Sequence, residues 1–313
     1  MIVRLEDESG RVGWGEVAPL PDFGTETVAE AEAALRNLGG VVEAASLADL
    51  PRRLVCARGS LAMALADLGA AGPDKEPLSS PVDYLPLAAL LPAGRPALAQ
   101  ARLKSEVGFR TFKWKVGAAD PADELALLDD LCAVLPSGSK LRLDANGAWD
   151  RRRAELWLER CADRPVEFVE QPVAAAARGS EDLLMGLAAD HPTPLALDES
   201  LAGPDALNRW LGAGWPGVFV VKPSLLGDPA GALARLAKSA GDRVVFSSAL
   251  ETAVGARSAL RIAFAWPGAA RALGFGVWPL FQDSRFDGPA SAPFVRAEDV
   301  SRIDAEAVWN ALS

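Results

Sequence analysis

Apolar and polar residues alternate in two different rhythms along the 313 residues of this chain. The opening stretches MIVRLEDES and RVGWGEVAP alternate with a period of two, and Ser9-Gly10 between them suits a tight turn, so a hairpin is expected. TETVAEAEAALRNL and SLADLPRRLVCARGSLAMALADLGA follow with helical patterning. The polar, Pro-bearing segment AGPDKEPLSSP, Ala71 to Pro81, reads as a linker or domain boundary.

From about Val82 short apolar strands alternate with amphipathic helices. The strand candidates are DYLPLAALL, TFKWKVG, LRLDANG, VEFVEQP, PLALDES, GVFVVKPS, RVVFSSALE and ALGFGVW. The intervening segments carry helix start signals: Asp120-Pro121 precedes ADELALLDDLCAVL, and Asp150 precedes RRRAELWLERC. Eight such strands predict an α/β fold, a TIM-type (β/α) barrel over residues 81–285. A doubly wound open sheet is the alternative, but evenly spaced units fit closure better. Residues 1–80 then form an α+β capping domain, with the C-terminal segment from about 286 to 313 packing on it.

Charge and composition narrow the function. A net charge of -10 argues against nucleic acid as a partner and weakly against an anionic membrane face. The amino terminus lacks the basic-then-apolar pattern of a leader, and no run approaches the roughly 18 apolar residues of a membrane helix, so a cytoplasmic protein is expected. Cys56, Cys132 and Cys161 have no metal-like spacing and read as free thiols. His191, the single histidine, falls in an apparent loop, which leaves acid–base chemistry to lysines and carboxylates.

Those groups stand where strands should be apolar. Strands buried on both faces are dominated by apolar residues, yet Lys115, Asp144, Glu170, Asp198, Lys222 and the pair Ser247-Ser248 recur near successive strand ends, about one βα unit apart. In a TIM barrel that level is the C-terminal mouth, where active sites form. By period-two alternation Lys113 and Lys115 share a face with Trp114 opposite, and Arg142, Asp144 and Asn146 share another. Three carboxylates with no histidine or cysteine beside them make a hard oxygen site, suited first to Mg²⁺ and next to Mn²⁺. Taken singly, KWK reads as a solvated edge strand, LDAN as a turn, and Asp198 as a helix cap. Their occurrence in order, one per strand, is what those readings leave unexplained.

At these residues the chain resembles the enolase superfamily, specifically its muconate-lactonizing-enzyme-like group: KWK, LDAN, EQP, LDES and VVKPS match strand by strand. Within that group it is similar to the o-succinylbenzoate synthase family, through GWGEVAPLPDFGTET, LRLDANGAW and FSSALETAVG. The resemblance covers nearly the whole chain. It implies an Mg²⁺-dependent syn dehydration of a small cyclic carboxylate in menaquinone or phylloquinone biosynthesis. Asp144, Glu170 and Asp198 would bind the metal. Lys115 would be the base and then the acid, Lys222 would stabilise the enediolate, and Lys113 would tune Lys115. Ser247, Ser248, Asn146, Arg142 and Phe23 are the implied substrate contacts, Phe23 from a loop that would cover the site. The family carries about two further strands before IVRLEDESGRVGWGE, so either a cap shortened at its amino terminus or a native chain that starts upstream of Met1 is expected.

Two other readings remain open on sequence. One is a related racemase or epimerase, with Lys115 and Lys222 as opposing bases. The dipeptide epimerases would show Asp-x-Asp on the eighth strand, where this chain has ALGFGVWPLFQDS. The other is a non-catalytic metal-binding barrel, expected to have lost a carboxylate or a lysine. No feature points to an oligomeric state.

Overall fold

The computed structural model describes residues 1–70, 82–269, 271–289 and 292–312. The expected linker, Ala71 to Pro81, lies outside the described residues. The amino-terminal alternation forms strands β1 (Ile2–Glu6) and β2 (Val12–Glu16), antiparallel with Ile2 opposite Glu16. Asp7 shapes their turn: its Oδ1 accepts from the backbone N–H of Ser9 at 2.9 Å and of Arg11 at 3.0 Å. Helices Val28–Asn37 and Val55–Ala70 follow, the first closed by a Thr27/Glu30 capping box.

The single apolar run DYLPLAALL divides in two. Its first part, β3 (Tyr84–Pro86), leaves the barrel and pairs antiparallel with a C-terminal strand, Phe294–Arg296. Its second part, β4 (Ala89–Leu91), begins a seven-stranded parallel sheet. The others are β5 (Thr111–Lys115), β6 (Lys140–Asp144), β7 (Val166–Glu170), β8 (Leu195–Leu197), β9 (Val218–Val221) and β10 (Val244–Phe246), neighbours in chain order. The Phe294–Arg296 strand is β11. Helix starts follow the sequence signals: Asp120 caps Pro121–Val134 by accepting from Ala122 N–H, and Asp150 caps Arg151–Cys161 by accepting from Arg153 N–H.

The eighth expected strand is reduced to single bridges. Leu273 pairs with Leu87 and Gly274 with Ser247, both parallel. Leu273 N–H donates to Pro86 O and Gly274 N–H to Phe246 O, each at 2.8 Å, so the segment bridges the stretch leading into β4 and the end of β10. The backbone passes too close here for side chains: a Cβ at Gly276 would lie 2.3 Å from the Ala88 carbonyl oxygen.

Alternation sorts the sheet into two faces. Phe112, Trp114, Leu141, Leu143, Val169, Leu195, Leu197, Phe219 and Val221 belong to the large core that includes the surrounding helices. Phe168, Ala196, Val218, Val220 and Val245 form a separate cluster inside the barrel. A third cluster joins Ile2 and Trp14 of the hairpin to Ala253 and Val254 of helix Ala253–Phe264 and to Ala305 and Val308 of the C-terminal helix Ala305–Ala311. The C-terminal segment thus packs on the amino-terminal hairpin, with Trp309 and Trp14 rings 5.9 Å apart.

Candidate active site

Parallel register places the strand-end charges on one rung. Lys115 lies beside Asp144, and Asp144 beside Glu170. Asp144 and Glu170 are the last residues of β6 and β7, Asp198 follows β8, and Lys222 follows β9. All three carboxylate residues are buried, at 2%, 1% and 5% exposure, so each needs a partner.

The lysines supply those partners. Lys113 Nζ lies 2.8 Å from Asp144 Oδ2 and 2.7 Å from Glu170 Oε1. Lys222 Nζ is paired with Asp198 Oδ1. Although burial alone would pull the Lys113 ammonium down, the Glu170 and Asp144 charges hold it above the usual lysine range. Burial, followed by repulsion from Asp144, pushes the Glu170 carboxyl up even with Lys113 attached. Asp144 resists its own burial through Lys113 and lies low. Lys115 is exposed at its strand end, makes no ion pair among the described residues, and faces the same pocket.

Backbone detail fixes these ends. Asn146 adopts a left-handed φ of 44° and its N–H donates to Asp144 Oδ1 at 3.1 Å. Fully buried Gln171, also left-handed at φ 37°, spans two strands: its Oε1 accepts from the N–H groups of Asp198 and Ser200, both at 3.1 Å. Its Nε2 donates to Val173 O and Ser200 Oγ. Non-glycine residues held in this region store strain of about 1 kcal/mol or more, and such strain clusters at functional sites.

These side chains surround a cavity of roughly 190 Å³. Lys113, Lys115, Asp144, Asn146, Asp198, Lys222, Ser247 and Ser248 line it from the barrel, and Leu20 and Phe23 from the amino-terminal loop. The Phe23 ring sits over the Lys222 ammonium. Glu170 touches the group through Lys113 and does not itself line the cavity. His191 ends a helix, as expected of a loop residue.

Arg142 is corrected by this geometry. It lies one layer beneath the mouth, in register with Lys113 and Phe168, and is 1% exposed. Its Nε donates to Glu167 and one terminal nitrogen to Ala272 O, both at 2.7 Å. Its guanidinium stacks 4.9 Å from the Phe168 ring centre. Arg142 therefore ties β6 to β7 and to the closing segment inside the barrel, and it does not line the pocket. Residues not singled out from sequence also line it: Ala88, Leu90, Leu250, Gly274, Gly276 and Val277. The β4 and closing-strand patterns could have located most of them; the Leu250 turn carries no local signal.

As donors, three buried carboxylates with no nitrogen or sulfur fit a hard divalent cation such as Mg²⁺. Among the described residues no three acidic, histidine or cysteine side chains converge on one point, and the Lys113 and Lys222 ammonium groups are paired with these carboxylates.

Known proteins decide the family. The profile described as "Enolase C-terminal domain-like" matches residues 97–293, and that described as "MenC, N-terminal domain" matches residues 1–62. The o-succinylbenzoate synthase of Thermosynechococcus vestitus is 40% identical over 279 residues, which span 88% of this chain and 83% of that protein. This chain belongs to the o-succinylbenzoate synthase family of the enolase superfamily. A crystal structure of that family, the synthase from Thermosynechococcus elongatus BP-1 complexed with Mg in the active site, superposes with a TM-score of 0.81 at 37% identity, covering 99% of this chain and 91% of that one. The L-Ala-D/L-Glu epimerase from Bacillus subtilis gives the same TM-score at 26% identity, covering 94% and 87%. Shared architecture therefore does not separate the synthases from the epimerases; the amino-terminal match and the higher identity do. No described helix is long and apolar enough to cross a membrane.

Proposed function

We propose that this chain is an Mg²⁺-dependent o-succinylbenzoate synthase, a lyase that removes water from 2-succinyl-6-hydroxy-2,4-cyclohexadiene-1-carboxylate to give 2-succinylbenzoate in menaquinone or phylloquinone biosynthesis. The family relationship supports the reaction. The observation that carries the mechanism is one pocket presenting exposed Lys115, Lys222 and the buried carboxylates of Asp144 and Asp198 together, with Glu170 tied to Asp144 through Lys113. The acidic charge and unpaired thiols suit a cytoplasmic setting.

In this reading Asp144, Glu170 and Asp198 hold the metal. When bound, Mg²⁺ acts as a Lewis acid toward the substrate carboxylate. Lys115 Nζ takes the proton alpha to that carboxylate and returns it to the departing hydroxyl, so one group on one face completes a syn elimination of water. The Lys222 ammonium stabilises negative charge developing on the carboxylate oxygens. Lys113 holds Asp144 and Glu170 in place. Asn146, Ser247 and Ser248 contact the substrate, and Leu20 and Phe23 exclude water from above.

The epimerase alternative is less favoured: on the closing segment Gly274, Gly276 and Val277 line the pocket, with no carboxylate among them. A non-catalytic barrel is disfavoured because every lysine and carboxylate is retained. The test is turnover by purified protein with Mg²⁺, followed by loss of diene absorbance and appearance of 2-succinylbenzoate, with an EDTA control. Metal-dependent product formation supports the reading, and its absence overturns it.

A further inference from the structure

Ser248 and Leu250 reach the pocket from a turn gripped by two buried glutamates. Ser248 Oγ donates to Glu251 Oε2 at 2.9 Å, and Leu250 N–H donates to Ser248 Oγ at 2.9 Å. Ala249 N–H donates to the same Glu251 oxygen. The turn requires such support, since Leu250 is a non-glycine residue at φ 61° with its side chain turned to the pocket. Immediately beyond, Thr252 is held from the amino-terminal hairpin. Its N–H donates to Glu16 Oε1 at 2.9 Å, its hydroxyl to Glu16 Oε2 at 2.6 Å, and Gly255 N–H reaches that oxygen at 2.8 Å. Glu16 thereby places a carboxylate at the start of helix Ala253–Phe264, where the helix dipole favours it.

The two glutamates fit only because residue 255 is glycine. A Cβ there would lie 2.7 Å from Glu251 Cβ and 2.9 Å from Glu16 Oε2. Glu251 is 2% exposed and does not line the cavity, so it touches no reacting atom. Its bonds run to the wall that the substrate meets.

We propose that Glu251 is the positioning residue of the substrate-facing turn Ser247–Leu250, fixing the rotamer of the Ser248 hydroxyl, while Glu16 anchors the far end of that turn to the amino-terminal hairpin. The proposal rests on the pocket reading given above. It makes substrate affinity depend on a residue outside the pocket, through a hydroxyl whose direction would otherwise be free. Burial, with the nearby Glu16 charge adding to it, pushes the Glu251 carboxyl up to about 7, so a neutral amide is a close substitute for it.

The test is a double-mutant cycle of Ser248→Ala and Glu251→Ala with Mg²⁺ present, reading kcat, KM and, by calorimetry, the affinity for 2-succinylbenzoate. Glu251→Met, of similar volume and unable to accept either hydrogen bond, replaces Glu251→Ala if that variant does not fold. Each single substitution is expected to raise KM and weaken product binding about tenfold, with kcat reduced less than about threefold. In the Glu251→Ala background, Ser248→Ala should add less than about twofold, and Glu251→Gln alone should stay within about threefold of wild type. An equal effect of Ser248→Ala in both backgrounds, or Glu251→Gln as damaging as Glu251→Ala, overturns the proposal while leaving the synthase reading intact. A wild-type protein that neither turns over substrate nor binds 2-succinylbenzoate overturns both.

Discussion

The Phe23 ring centre lies 4.6 Å from Lys222 Nζ, so an aromatic from the amino-terminal loop covers the lysine that follows β9. A desolvated ammonium over a ring is stabilised by up to about 2 kcal/mol. The contact also couples loop position to the group assigned to stabilise charge in the reaction. Phe23→Leu keeps apolar bulk and removes the ring. It should lower kcat/KM about five- to thirtyfold with little change in Tm. Steady-state kinetics beside thermal melts check this, and unchanged kinetics would reduce Phe23 to a passive cover.

Lys222→Arg keeps the charge and changes its shape. The ammonium sits between Asp198 and Phe23 with 9% side-chain exposure, and a planar guanidinium fork would not reproduce that point-charge geometry. Turnover should fall about a hundredfold or more, as when a preorganised charge donor is displaced. Near-normal kcat would show that only the sign of the charge matters.

Arg142 separates structural from binding roles. Its removal leaves the Glu167 side chain, 7% exposed, with Arg271 and Lys140 as its remaining ion-pair partners among the described residues. Breaking a buried pair is destabilising, and because Arg271 and Lys140 still partner Glu167 the loss should fall below the roughly 3 kcal/mol of a fully orphaned charge. Arg142→Met should therefore lower the urea midpoint, while KM of the remaining folded enzyme stays within about threefold. A large KM change without loss of stability would restore it to the substrate-contact list.

Glu251 predicts a pH-dependent stability. Its carboxyl titrates at about 7 in the fold, above its ordinary value of 4.5. The folded state thus favours the protonated form. The stability this contributes is full below the unfolded value and is lost as the pH rises through 7. Glu251→Gln abolishes the titration. Relative to wild type it should gain on the order of 2 kcal/mol between about pH 5 and pH 8, measured by urea denaturation at both. A difference independent of pH would mean that Glu251 is ionised throughout.

Much of the site was legible because charge is conspicuous in strands buried on both faces. Lys115, Asp144, Glu170, Asp198 and Lys222 stand at strand ends as their spacing indicated, and all of them but Glu170 line the cavity together with Ser247 and Ser248. Alternation gives the face of a residue and not its depth: Arg142, implied as a substrate contact by the resemblance, shares the face of Asp144 and lies a layer below it. DYLPLAALL gave no sign of dividing, because β3 departs to pair with β11, a partner distant in the chain. The closing strand shrinks to bridges where Gly274 and Gly276 bring backbones together, so its apolar pattern overstated its length. The grip of Glu16 on Thr252 joins residues 236 positions apart, beyond any local pattern.

The most direct test of the account is Lys115→Ala, assayed for dehydration while Mg²⁺ binding is followed by calorimetry. Lys115 is given the proton transfers and none of the metal contacts. Turnover should drop by about a thousandfold or more, the range of a lost general base, with Mg²⁺ affinity within about threefold of wild type. Dehydration within about tenfold of the wild-type rate would contradict the account, because the proton would then be leaving through some other group.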